Sequence, residues 1–316
     1  MTEPHTHQTA DFALPFLLHN GAARGRLVRV SGAAEEILSR HAYPRQVSRL
    51  LAETAALAVT LADALKFDGV FTLQAKGSGP VRQLVADVTS AGMLRACATF
   101  DADAPGLDDA GTDAEVSVQA LLGTGYLAFT VDQGDNTDRY QGIVELTGHT
   151  LTECIHEYFR SSEQLETTIK VASRPPQGED GHWQAGALMI QRMPLHGGTD
   201  SPMQDEEEAE DAWRTAVVLL GSLTATELLD NTLPGPDLLY RLFHQEELRL
   251  SAEKTLAFGC RCSRERVEHT LATFTVESLD EMRQDDGTVS VVCQFCSTDY
   301  VFTDADLAAL PREAAS

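Results

Sequence analysis

An α+β fold is the class this sequence predicts, and three observations carry it. Short β-like runs cluster between helix-like runs over residues 25 to 173 without a regular βαβ alternation. Proline and glycine punctuate the chain at Pro175-Pro176-Gln177-Gly178, further glycines follow as far as Pro202, and the edge of a first domain falls between those points. The last fifth concentrates four cysteines in two tight pairs, Cys260-Arg261-Cys262 and Cys293-Gln294-Phe295-Cys296. These features divide the 316 residues into an N-terminal antiparallel-sheet and helix domain (1–200), a helical linker (201–250) and a small C-terminal four-cysteine domain (251–316).

Val28 and Val30 belong to an early strand. From Tyr43 to Leu65 the chain is rich in alanine and leucine, and Val47, Leu50, Leu51, Thr54, Leu57, Leu61 and Leu65 have the spacing of a buried helix face. Phe71 to Gln74, Val81 to Val88 and Leu94 to Phe100 are short runs separated by turn residues, which fits antiparallel hairpins. Asp101 to Asp113 reads as a surface loop. Strands at Tyr126 to Val131 and Ile143 to Leu146 flank the loop Gly134 to Asp138, and Gly123-Thr124-Gly125 reads as a turn between strands because it lacks the lysine of a phosphate loop. A helix from about Leu151 to Arg160 places Leu151, Cys154, Ile155, Tyr158 and Phe159 on one face.

In the linker, six carboxylates occupy the seven positions from Asp205 to Asp211, ahead of an amphipathic run with Trp213, Ala216, Val217, Leu220 and Leu223. Acids suit a helix N-terminus, but like charges at i, i+3 and i+4 repel, so this helix needs a partner surface. Thr224-Ala225-Thr226-Glu227 is a capping box, and Leu238, Leu239, Leu242 and Phe243 mark another short helix after Pro234 and Pro236. An inter-domain connector and a conformational switch both fit this pattern.

In the last domain the first cysteine pair precedes a helix with Val267, Leu271 and Phe274 on one face, and Ser278 to Glu281 reads as a capping box. Asp286-Gly287 signals a hairpin turn, and Val289 to Val292 leads as a strand into the second pair. Tyr300 and Phe302 alternate on the return strand, and Thr303 to Asp306 caps a final helix.

The formal charge of −24, from 48 acidic and 24 basic residues, opposes nucleic acid and anionic membranes as partners. Phe12 to Leu18 is apolar but short, is broken by Pro15 and has no basic leader, so neither a targeting signal nor a membrane span is expected, and the location expected is cytoplasmic. In a reducing compartment clustered cysteines read first as metal ligands or redox-active thiols. Cys260, Cys262, Cys293 and Cys296 can close a tetrahedral shell around one Zn2+ per chain, which makes the last domain a zinc domain with no open position for catalysis. A unit of about 60 residues has a core small enough to need such a staple. The same four sulfurs are also placed to pair locally as two disulfides, so an inert structural site and a redox switch both remain open. Cys97 and Cys154 lie singly in apolar stretches and read as core packing. The ten histidines show no HExxH spacing; His5 and His7 fall in a tail, and His149, His156 and His244 read as surface or packing residues.

With these residues in hand, the chain resembles the heat shock protein 33 family of redox-regulated molecular chaperones. The resemblance rests on Tyr43-Pro44, Leu65-Lys66-Phe67-Asp68-Gly69, Leu73-Gln74, Gly123-Thr124-Gly125, Tyr140-Gln141-Gly142, Tyr158-Phe159 with Ser162-Glu163-Gln164, Cys260-Arg261-Cys262-Ser263-Arg264-Glu265-Arg266 and Cys293-Gln294-Phe295-Cys296. It implies an ATP-independent holdase for unfolded or oxidatively damaged client proteins, inactive while reduced and zinc-bound; no catalysis is expected, because no constellation of nucleophile, base and oxyanion donors is evident in the sequence. It further implies that oxidation joins Cys260 to Cys262 and Cys293 to Cys296, releases zinc, unfolds the zinc domain and linker, and is accompanied by homodimerisation. Glu166 departs from the pattern, where proline is expected, and the acidic run from Asp205 is heavier than the pattern. Two other classes stay in view: a structural-zinc adaptor protein, and a thiol oxidoreductase using Cys293 and Cys296, although such motifs precede a helix in a βαβ setting and a strand leads into this pair.

Overall fold

A helix buried all round needs covering on every side, and the stretch from Thr54 to Ala62, buried at every position, is such a helix. The computed structural model describes residues 11–107, 117–134, 140–177, 181–193 and 206–310. In it, strands β1 (Phe12–Leu18) and β2 (Ala23–Arg29) and helix α1 (Gly32–Leu38) precede α2 (Arg45–Asp63), which runs between two sheets. Ala52, Ala55, Ala56, Ala58 and Ala62 keep α2 slim enough for sheets to approach on both sides, and the buried hydroxyls of Thr54 and Thr60 donate to the carbonyls of Leu50 and Ala56 at 2.7 and 2.8 Å. The expected apolar face is buried except at its end, where Leu65 lies past the helix and is 43% exposed.

One sheet is built from β3 (Val70–Gly77), β4 (Val81–Thr89), β5 (Met93–Phe100), β6 (Gly125–Asp132) and β7 (Tyr140–Glu145). Helix α3 (Val118–Leu122) precedes β6, so Gly123-Thr124-Gly125 joins a helix to a strand rather than two strands. Gly123 has φ +66°, and a Cβ there would lie 2.8 Å from the Gly79 nitrogen, which makes glycine necessary at this crossing. The other sheet contains β1, β2, β8 (Thr167–Arg174) and β9 (Gln184–Arg192). Between the sheets in sequence, α4 (Leu151–Tyr158) ends earlier than expected in a π turn at Phe159–Glu163, closed by Gln164 in the left-handed region at φ 54°.

The chain then adds α5 (Glu206–Ser222), α6 (Ala225–Leu228), α7 (Gly235–Phe243) and the two-residue strands β10 (Arg249–Leu250), β11 (Lys254–Thr255) and β12 (Ala257–Phe258). The first-described sheet has the order β12-β5-β4-β3-β6-β7, antiparallel except for β12 on β5; the other has the order β10-β1-β2-β9-β8, with β11 also on β1. Pro15, which made the first apolar run look broken, is tolerated in β1. Its carbonyl accepts from Ser251 at 2.9 Å, so its missing N–H falls on the same side, where pairing passes from β11 to β10. The strand β9 falls within the interval in which the first domain's edge was expected. Asp108 to Asp113, Asp135 to Asp138, Pro202, Asp205, His5 and His7 lie outside the described residues.

The linker helices cover the face of the second sheet that points away from α2. Phe12, Leu14, Phe16, Leu27, Leu188 and Ile190 form one core with Trp213, Ala216, Leu220, Leu223, Leu228, Leu238 and Phe243. Phe16 lies over Gly25 across the β1–β2 pair, where any Cβ would meet its ring at 2.0 Å, and stacks on Phe243 at 5.7 Å. The capping box at Thr224 and Glu227 forms as expected. Glu166 and Glu210 of the acidic run both engage Arg192, at 2.6 and 2.7 Å. Among the described residues, no helix is long and apolar enough to cross a membrane.

Cys97 and Cys154 are buried, as expected for core packing. His156 also packs inward: its Nε2 accepts from the Ile169 N–H at 3.0 Å, and burial lowers its pKa below the ordinary 6.5, against an opposing pull from Glu153. A histidine whose folded pKa is depressed binds fewer protons folded than unfolded, so its contribution is fully present above about pH 6.5 and is lost progressively as pH falls from there through the lowered folded value. Melting temperature measured from pH 7.5 to 5.5 is expected to fall, and His156→Gln should flatten that fall.

The compact units are residues 1–258 and 259–316. The second contains α8 (Arg264–Ala272), α9 (Val276–Glu281), the hairpin strands β13 (Val289–Val292) and β14 (Asp299–Phe302), and α10 (Asp304–Ala308). Its core is Leu271, Leu279, Val289, Phe302, Leu307 and Leu310. Three details differ from expectation. Thr275, not Ser278, caps α9 by accepting from the Ser278 N–H; Asp286-Gly287 turns between α9 and β13 rather than within a hairpin; and Phe274, just past α8, is 41% exposed.

Candidate metal centre

The second cysteine pair is held by the hairpin itself. Val292 pairs with Asp299 and ends β13, then the Cys293 N–H donates to the Thr298 carbonyl at 2.9 Å and the Ser297 N–H donates to the Cys293 carbonyl at 2.8 Å. Ser297 takes φ 55°, which turns the chain tightly enough to bring Cys293 and Cys296 to one side. The first pair enters α8, where Ser263 accepts from the Arg266 N–H as N-cap. Arg266 donates to the Arg261 carbonyl at 2.6 Å, and Arg264 lies 4.3 Å over the Phe302 ring while donating to the Val301 carbonyl. These contacts fix the first pair against the hairpin that carries the second.

All four sulfurs lie within 4.8 Å of one another, with Cys296 buried and the others half-buried. Cys260 to Cys262, Cys262 to Cys296 and Cys260 to Cys293 are 3.4, 3.4 and 3.7 Å apart, and no disulfide joins them. Four sulfurs at the usual 2.3 Å from zinc would define edges of about 3.8 Å, so the cluster has the size of a tetrahedral thiolate shell. It brings together every sequence-predicted ligand and neither Cys97 nor Cys154, which lie in the other unit.

The surroundings set the thiols apart. Burial pushes Cys262 up to about 12, against a hydrogen bond from Tyr300, and burial also raises Cys293. Burial acts the same way on Cys296, but the hydroxyl and backbone of Thr298, with Cys262 and Cys260, outweigh it and bring Cys296 down to about 6. Tyr300 donates to the Cys262 sulfur at 3.1 Å, which raises its own pKa to about 12, and Thr298 Oγ1 lies 3.2 Å from the Cys296 sulfur. Tyr300 and Thr298 hold two of the sulfurs from outside the cluster, and cysteine spacing alone did not reveal them. The hairpin register could have: a strand ending at Val292 and returning from Asp299 places both beside the cysteines.

Comparison with known proteins agrees with this geometry. A 33 kDa chaperonin of Caulobacter vibrioides is 37% identical over 298 residues, covering 94% of this chain and 96% of that protein. A 33 kDa chaperonin of Ectopseudomonas mendocina is 38% identical over 301 residues, covering 95% of each. The crystal structure of the 33 kDa chaperonin (heat shock protein 33 homolog) of Thermotoga maritima superposes with a TM-score of 0.76 at 23% identity, covering 94% of this chain and 97% of that one, which supports the fold. The Hsp33 protein family model matches residues 11–303, from the residue before β1 to the cap of α10 and across all four clustered cysteines, and so the chain belongs to the Hsp33 family of chaperones.

Proposed function

We propose that this chain is a redox-regulated, ATP-independent holdase, switched by the Cys260, Cys262, Cys293 and Cys296 centre. The observation that carries the reading is the four-sulfur cluster in a unit whose described apolar core is six buried side chains. Bound zinc, one ion per chain in the reduced form, would keep the sulfurs as thiolates and cross-link the unit. Oxidation joins Cys260 to Cys262 and Cys293 to Cys296. Each disulfide forms as a thiol pair gives up two electrons, and the oxidant, a peroxide, is reduced to water. With all four sulfurs spent in disulfides, none would remain to hold the ion, and the unit would lose its main cross-link.

The helices α5 to α7 supply the other half of the reading. They cover Phe12, Leu14, Phe16, Leu27, Leu188 and Ile190, an apolar sheet face that would bind exposed segments of unfolded or oxidatively damaged clients once uncovered. On this reading residues 1–200, 201–250 and 251–316 are the chaperone core, the regulatory linker and the redox switch. The oxidised form is a homodimer, the protein works in the cytoplasm, and it has no catalytic activity and neither nucleic-acid nor membrane partners.

Peroxide at elevated temperature is expected to release one zinc per chain and to give stoichiometric suppression of aggregation of a thermally unfolding client, with peptide mapping finding the two local disulfides. Full zinc retention with no gain in suppression would sink the proposal. A Cys262 to Cys296 crosslink would refute the pairing, and turnover of a disulfide substrate with a reductase would favour an oxidoreductase.

A further inference from the structure

A cavity of about 380 Å³ opens in the first unit beside the end of α2, within the range of roughly 300–1,000 Å³ typical of small-molecule sites. The segments Leu65-Lys66-Phe67, Tyr140-Gln141-Gly142, Tyr158-Phe159 and Ser162-Glu163-Gln164, which carry the family resemblance, all contribute to its wall, and none belongs to the metal centre. Leu61, Leu65, Phe67, Phe129 and Phe159 give it an apolar lining. Gly142 is required there, since a Cβ would lie 2.4 Å from the Tyr158 hydroxyl.

Two polar groups of opposite charge face this lining, and only one is already matched. The Glu163 carboxylate accepts from the Tyr158 hydroxyl at 2.7 Å and from the Tyr140 hydroxyl. Both phenols have raised pKa values, chiefly through burial, and stay neutral donors. At the other group, Arg24 and Arg26 project from the same face of β2, two residues apart. Arg26 pairs with Asp63 at 3.1 Å, whereas Arg24 has no carboxylate partner among the described residues. Its Nε donates to Gln191 Oε1 at 3.0 Å, and Gln191, 1% exposed, is itself held by Thr167. Burial lowers the Arg24 pKa, as expected for a guanidinium drawn from water without a counterion. Its terminal nitrogens therefore form a positioned, half-buried and unmatched donor pair beside an apolar chamber.

We propose that this cavity binds a medium-chain monocarboxylate, its carboxylate on the terminal nitrogens of Arg24 and its alkyl chain along Leu65, Phe67 and Phe129. A guanidinium fork matches a carboxylate in two parallel hydrogen bonds, and the lining supplies the desolvated environment in which that pairing discriminates. Lys66 at the wall adds to the positive field. The proposal goes beyond the redox reading and is independent of it, because every group it uses lies in the first unit.

Titration calorimetry of sodium octanoate into the reduced, zinc-loaded full chain tests this. One octanoate per chain is expected, with octanol weaker by about tenfold, the effect of one charge-assisted contact of about 1.4 kcal/mol. Arg24→Gln should weaken octanoate to the level of octanol, and Ala64→Phe, which fills the cavity, should remove both, with circular dichroism confirming that each variant folds. On the unmodified chain, octanoate but not octanol should protect Arg24 from phenylglyoxal, read by mass spectrometry. Absence of binding at millimolar octanoate, equal affinity for octanol, tighter binding of octylammonium, or an Arg24 unprotected by octanoate would each overturn the proposal.

Discussion

Replacing Cys262 and Cys296 together by serine is expected to unfold residues 259–310 while leaving the first unit folded. The magnitude follows from comparing two quantities. A structural zinc site contributes about 10–16 kcal/mol to a small domain, whereas whole domains are stable by only about 5–15 kcal/mol. The core of this unit, Leu271, Leu279, Val289, Phe302, Leu307 and Leu310, belongs to a size class in which apolar burial rarely supplies more than about 3–5 kcal/mol. Without metal the balance turns against folding. Capping at Ser263, Thr275 and Thr303 adds only about 1 kcal/mol each and cannot restore it. Metal analysis should find no zinc in the variant, and hydrogen exchange should find the β13–β14 amides unprotected, with β3, β4 and β9 still protected. A protected hairpin in metal-free protein would show that the apolar core suffices and that metal loss is no switch.

That contrast between units also explains what was legible in the sequence. The four-cysteine cluster could be read because its chemistry is local: a short loop fixes each pair of sulfurs, and the pairs meet within one small unit. The helix Arg45–Asp63 could be read for a similar reason, since its apolar residues repeat at helical spacing, although its alanines concealed that both of its sides are covered. The strands β8 and β9 escaped notice because prolines and glycines lie between and after them, and the pairing of β9 with β2, which places β8 at the sheet edge, is set by partners more than 150 residues away in sequence. Strand β1 was obscured by Pro15, whose lost N–H costs little at a break between partners. Side chains that reach across the fold, such as Tyr300 onto Cys262 and Arg24 onto Gln191, leave no periodic trace.

Arg29 is the clearest of these long reaches, and Arg29→Met is expected to loosen the linker without touching a cysteine. Arg29 is 3% exposed, on the sheet face that the linker helices cover. Its Nε donates to the Leu228 carbonyl at 2.8 Å, its Nη1 to the Leu233 carbonyl at 2.5 Å and its Nη2 to the Glu227 carbonyl at 3.1 Å. These carbonyls lie at the end of α6 and in the turn toward α7, where helical bonding leaves acceptors without partners. Burial lowers the Arg29 pKa while Asp230 opposes that shift, so the charge is held by a nearby acid as well as by the carbonyls. Methionine fills similar space but donates nothing. Breaking a buried charged network of this kind costs about 3–5 kcal/mol, a large part of a domain's stability but not all of it. The loss falls on the docking of α6 and α7, because the β1–β2 and β2–β9 ladders do not use this guanidinium. Amides of Leu228, Leu229, Leu233 and Leu238 should therefore exchange faster in the variant, with β3 and β4 unchanged. If the covered face is the client surface, the reduced, zinc-bound variant should suppress client aggregation without peroxide. Faster linker exchange with no such suppression would place the client surface elsewhere, and unchanged exchange would show that the apolar contacts of Trp213, Leu238 and Phe243 hold the linker unaided.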